Sequence, residues 1–195
     1  PGELPPEPKL QSIGKVNLTE KTGLFENMDL IGEQHYSPMP ESMEYYGQNF
    51  GLIYYKTTVH GAYGMCSMML RDLHDRAYVY VDGELKKTFD VMKPDGLIKR
   101  IMKKDGLLLN LKNEKTELGI LVEAMGRVNY GEHLTDRKGI SAVNLNLQTV
   151  MDYEVTTLPL DNIEKLDFTR GASKYPMFFR GKFKANSQAE SFVRL

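Results

Sequence analysis

The chain has 195 residues, with 25 Lys and Arg against 26 Asp and Glu, for a formal net charge of -1. That balance gives no broad electrostatic footprint for nucleic acid. Hydrophobic residues at 41% and charged residues at 26% describe a globular chain, and apolar runs of only a few residues predict no transmembrane helix.

Pro1, Pro5, Pro6 and Pro8 predict an extended lead-in without the apolar stretch of a signal peptide. It reads as a linker cut from something longer. Alternation in Ile13 to Leu18 predicts a short strand, and Gly23 to Met43, with Pro38 and Pro40, reads as loop. β-branched and aromatic residues from Gly51 to Val59 predict a strand, and Met65 to Leu73 a second. Arg76 to Val81 is a third, ending at Asp82-Gly83, where both residue types tolerate the positive φ of a tight hairpin turn. Lys86 to Phe89 is the return strand. Further strands are expected at Leu97 to Met102, Leu107 to Leu111, Leu118 to Val122, Val143 to Leu147, Tyr153 to Leu158 and Phe178 to Phe183. Ile163 to Phe168 makes one or two helical turns. This spacing of short strands predicts an all-β sandwich or jelly roll, with a soft boundary near Thr149 to Met151.

Few residues carry an obvious chemistry. Cys66, the single cysteine, sits in an apolar run and reads as a small buried hydrophobe. His35, His60, His74 and His133 lack metal-ligand spacing. His74, Asp75 and Arg76 enter a strand, where alternate side chains point opposite ways. They read as a hydrogen-bonded structural cluster rather than a triad. Nothing in spacing pairs Glu123, Glu132, Asp136 or Asp75 as glycosidase carboxylates. Tyr45, Tyr46, Tyr54 and Tyr55 read as core packing more readily than as a sugar platform, since neighbours on a strand face opposite ways. The most informative segment is Met125 to His133. Gly126 and Gly131 flank Arg127 to Tyr130, which predicts a shaped loop. A tyrosine held there either packs structurally or offers a ring and a hydroxyl to a sugar.

Leu73 to Gly83 and Leu121 to Gly131 closely resemble stretches of the β-galactosidases of glycoside hydrolase family 35. Asp136 to Ile140 and Gly47 to Tyr55 fit the same pattern, in the same order and spacing. The resemblance is strong from Met43 to Leu147 and weaker at both ends. It implies a galactose-binding-like, jelly-roll β-sandwich that trails a catalytic (β/α)8 barrel carrying two glutamates of a retaining mechanism. Such a barrel takes about 250 residues, so none of the residues here inherits the glutamates' role. The implied layout is a linker and first strand at 1–42, able to pack with a second sandwich, the first sandwich at 43–150, and the start of the second at 151–195. Tyr130 matches a family tyrosine that reaches the substrate pocket, and Arg127 and Asn129 are expected to brace its loop. Ala124, Lys87 and Tyr153 depart from the family's usual Asn, Gly and Trp.

The implied function is an accessory region that supports the barrel of a β-galactosidase, an enzyme that releases terminal β-linked galactose. The partners are that barrel and, through it, a galactoside; no nucleic acid, membrane, metal or cofactor is expected. The alternative is a stand-alone galactoside-binding module, using a face unrelated to Tyr130. Asn17-Leu18-Thr19 is a glycosylation sequon, and the compartment stays open.

Overall fold

The computed structural model describes residues 12–90 and 106–184. The chain divides into two compact units, Met28–Lys165 and a second made of the two ends.

The larger unit is a β-sandwich. One sheet contains β2 (Glu33–Ser37), β3 (Leu52–His60), β5 (Arg76–Val81), β6 (Glu84–Asp90), β8 (Lys115–Glu123) and β11 (Tyr153–Leu158), in the order β2-β11-β3-β8-β5-β6. The other contains β4 (Gly64–Arg71), β7 (Leu107–Leu111), β9 (Ala142–Leu145) and β10 (Gln148–Thr149), in the order β10-β9-β4-β7. Neighbouring strands pair antiparallel. The chain passes repeatedly from one sheet to the other, so the core is sewn from both faces. Alternate residues point inward and meet there: Ile53, Tyr55 and Val59 of β3, Cys66 and Met68 of β4, and Leu118, Ile120 and Val122 of β8. This is the two-residue period of a strand buried on one face.

The central strands are buried on their second face too. Leu121 lies in register between Tyr54 and Tyr78 and is fully covered. Gly119 makes room on the same face: a Cβ there would lie 2.2 Å from the Tyr54 hydroxyl. The hairpin between β5 and β6 turns at Asp82 and Gly83, with φ of 49° and 78°, the left-handed values that such a turn requires.

The smaller unit pairs β1 (Glu20–Gly23) with β12 (Met177–Arg180). Asn27 is its polar keystone: fully buried, it donates to Thr22 Oγ1 and Gly23 O at 2.8 Å and accepts from the Asp167 N–H at 2.8 Å. Arg180 pairs with Glu20 at 2.6 Å and lies over the Phe168 ring.

Several expectations change. Ile13 to Leu18 forms no strand; Gly14 takes a φ of 79°, which breaks extension, and pairing starts at Glu20. Gly23 to Met43 is not all loop, because it holds a helical turn at Met28–Ile31 and strand β2. Tyr153 to Leu158 does form a strand, but it lies inside the larger sheet between β2 and β3 rather than opening a second sandwich. Its Tyr153 and Val155 fill the same core. The units therefore change over at 27/28 and 165/166, not at 42/43 and 150/151. Ile163 to Phe168 contributes two short 3-10 turns, Ile163–Lys165 and Phe168–Arg170. The strand expected at Leu97 to Met102 lies outside the described residues.

Candidate functional site

β8 ends at Glu123, and the chain then leaves the sheet in a long loop that returns at Gly139. Three attachments hold its base. The Ala124 N–H donates to Gly51 O at 3.1 Å, the Met125 N–H to Asp75 Oδ2 at 2.7 Å, and Gly139 exchanges backbone bonds with His74 at 2.9 and 3.0 Å. Asp75 also accepts two bonds from Lys138 Nζ, at 2.8 and 2.9 Å, and the two side chains are nearly buried. A desolvated pair of this kind is held by mutual attraction and is costly to break from one side. Gly139 has a φ of 118°, and a Cβ there would meet the Tyr55 hydroxyl at 2.4 Å.

Glu44 and Arg127 fix the middle of the loop. The Arg127 guanidinium pairs with the Glu44 carboxylate and donates to Asn49 O and Asp136 O, each at 3.3 Å. The Lys138 N–H donates to the same carboxylate at 3.0 and 3.1 Å. Partial burial works to raise the Glu44 pKa. The Arg127 guanidinium and the backbone N–H groups of Glu44 and Lys138 outweigh it, and hold the carboxyl below its ordinary range.

Beyond this frame stands Tyr130, 90% exposed, between Gly126 and Gly131 with φ of 98° and 104°. Met125, Val128 and Leu134 of the same loop are exposed as well. So are Tyr45 and Phe50, the chain neighbours of Glu44 and of Asn49. The result is a loop footed by these bonds that carries an exposed aromatic ring and further exposed apolar side chains. Such a ring can stack on the C–H face of a sugar.

The other singled-out residues go elsewhere. Asn129 is exposed, and its side chain makes no hydrogen bond among the described residues, so it does not brace the loop as Arg127 does. His74, Asp75 and Arg76 each take different partners: Asp136 at 3.3 Å, Lys138, and the Asp90 and Glu123 carboxylates at 3.0 and 3.2 Å. Glu123 further accepts from the Tyr78 hydroxyl at 3.1 Å. Asp136 also receives His133 at 3.1 Å. Glu132 begins the 3-10 turn Glu132–Thr135. Tyr54 and Tyr55 are buried, whereas Tyr45 is exposed and meets Tyr46 edge to face. Cys66 is buried, and burial pushes its thiol pKa up. Among the described residues no three His, Cys, Asp or Glu side chains are grouped to hold a metal ion, and no helix is long and apolar enough to cross a membrane.

Glu44 carries no sequence signal, because its partners lie 83 and 94 positions away. Lys138 falls in the distinctive Asp136 to Ile140 run, but its partner Asp75 is set by the fold alone.

Residues 40–161 match the family model described as beta-galactosidase, first all-beta domain. The chain belongs to this family. The match spans the whole sandwich core from the 3-10 turn at Met43–Tyr46 to β11, and it contains the Tyr130 loop. Among similar proteins, Beta-galactosidase 8 of Oryza sativa subsp. japonica is 29% identical over 228 residues, covering 96% of this chain and 33% of its own length. Beta-galactosidase of Xanthomonas manihotis is 28% identical, covering 79% of this chain and 25% of its own length. Beta-galactosidase of Homo sapiens is 31% identical, covering 82% and 23% respectively. The chain thus spans a third or less of these relatives, and what it matches is an all-β accessory domain of the β-galactosidase family.

Proposed function

We propose that this chain is the non-catalytic accessory region of a β-galactosidase. It packs against the catalytic barrel of a longer protein and presents Tyr130 at the rim of the substrate pocket. The observation that carries this reading is Tyr130 itself, almost wholly exposed on a loop anchored by a buried ion pair and an arginine clamp. An ordered backbone that holds an apolar ring in solvent is a surface built for a partner. Met125, Val128 and Leu134 of the same loop are exposed apolar side chains as well. The occupant in this reading is the catalytic barrel; it is supported by relatives of which this chain matches only 23–33% of the length.

Tyr130 stacks on sugar and narrows the pocket, while Arg127 and Glu44 are positioning residues. Proton transfer and nucleophilic attack belong to the barrel. Here Asp75, Asp136 and Glu123 are each tied to basic side chains.

The test is Tyr130→Ala and Tyr130→Phe in the complete protein, with kcat/KM measured on a β-galactoside. Loss of the ring costs about tenfold, in line with an aromatic contact of ~1.4 kcal/mol. Loss of the hydroxyl alone costs less. An unchanged kcat/KM in both variants removes the proposed role.

A further inference from the structure

At the opposite end of β3 from the Tyr130 loop lies a cleft of about 690 Å³, with no part in the function above. It exists for a topological reason. The ladder between β11 and β3 begins at the pair Glu154 and Lys56, so Thr57–His60 runs past it. The connection from β10 passes there, with the Thr57 hydroxyl donating to Met151 O at 2.9 Å and Asp152 at a φ of 64°. The volume is within the range of small-ligand sites, roughly 300–1,000 Å³.

We propose that this cleft binds a neutral carbohydrate. Its lining mixes aromatic rings with hydrogen-bonding groups of both kinds. Tyr36 is 68% exposed, and its hydroxyl donates to Asp152 Oδ1 at 3.0 Å, which fixes the ring at the cleft. Tyr63 is held likewise, donating to Gln148 Oε1 at 2.9 Å. That bond occupies the amide oxygen and leaves the Gln148 NH₂ to donate. Lys56 bridges Glu117 at 3.3 Å and Glu154 at 3.7 Å, so carboxylate acceptors and an ammonium donor stand side by side. Vicinal hydroxyls need that alternation, and a ring face supplies the apolar contact for sugar C–H groups. Charge separates this ligand class from others. Three carboxylates, on Glu117, Asp152 and Glu154, face one ammonium, which repels phosphates and acidic glycans. An extended peptide would need apolar side-chain pockets beside the strand edge, and the lining here is mainly polar.

The test is ¹⁵N chemical-shift mapping and saturation-transfer NMR on the 195-residue chain with lactose, maltose and cellobiose, each in the millimolar range. Expected are saturation transfer to at least one disaccharide and shifts at Tyr36, Thr58 and Gln148. Tyr36→Ala and Glu117→Gln, both at the cleft surface, should each weaken binding about tenfold, which corresponds to ~1.4 kcal/mol. Leu85→Ala, on exposed β6, should leave it unchanged. The wild-type shift map keeps the proposal testable if a variant does not fold. No transfer to any of the three sugars overturns it, as does undiminished binding in both cleft variants. Shifts confined to residues 125–131 also overturn it, while leaving the Tyr130 reading intact.

Discussion

Lys138 and Asp75 are 63 positions apart in sequence, yet their buried pair decides where the Tyr130 loop is footed. Removing one partner leaves a desolvated charge, so Lys138→Ala should cost about 3 kcal/mol in urea denaturation. A loss under 1 kcal/mol would mean that water already reaches the pair. Glu44 gives a pH signature. Its folded pKa is below the unfolded value, so its contribution to stability is complete above the unfolded pKa of roughly 4.3. It is lost as pH falls through the lower folded value. The stability gap between wild type and Glu44→Gln should therefore be present at pH 6 and closed in strong acid; a gap that widens on acidification contradicts this. The shaped loop that carries Tyr130 was legible because two glycines and a distinctive run mark it. Glu44 was not, since a carboxylate whose partners are long-range looks like any surface acid. Asn129 shared the run with Arg127, but its short side chain stays in solvent.

Strands with strong alternation and β-branched or aromatic content were readable one by one, and β5, β7 and β11 have the bounds the sequence predicts. β2 was hidden, because Glu33–Ser37 is a polar segment at a sheet edge with only Ser37 buried; an edge strand need not carry a core pattern. The pairing of β11 was equally hidden. Alternation says which face is buried, not which strand lies alongside. A glycine inside a strand is readable as close approach, and Gly119 gives that a partner. Gly119→Ala should destabilise the chain by about 1–3 kcal/mol through overlap with Tyr54. Tyr54→Phe, which removes the nearest atom, should recover part of that loss in a double-mutant cycle. Additive effects would show that Tyr54 is not what the new methyl meets.

The all-β sandwich was legible at the scale of the molecule because many short strands with turn signals permit few other architectures. The division into units was less so. A break in composition near residue 150 marks the crossing from β10 to β11, which is a change of sheet and not of unit. The ends are joined by pairing between Glu20–Gly23 and Met177–Arg180, a contact more than 150 residues long that local pattern does not announce. This unit structure suits an accessory role: a sandwich with its own core, presenting one loop outward. The most direct measurement of that role is hydrolysis of a chromogenic β-galactoside by the purified 195-residue chain, beside the complete protein at equal concentration. The complete protein should turn the substrate over and the chain alone should not. Turnover by the chain that disappears on substituting Asp75, Glu123 or Asp136 would contradict the account.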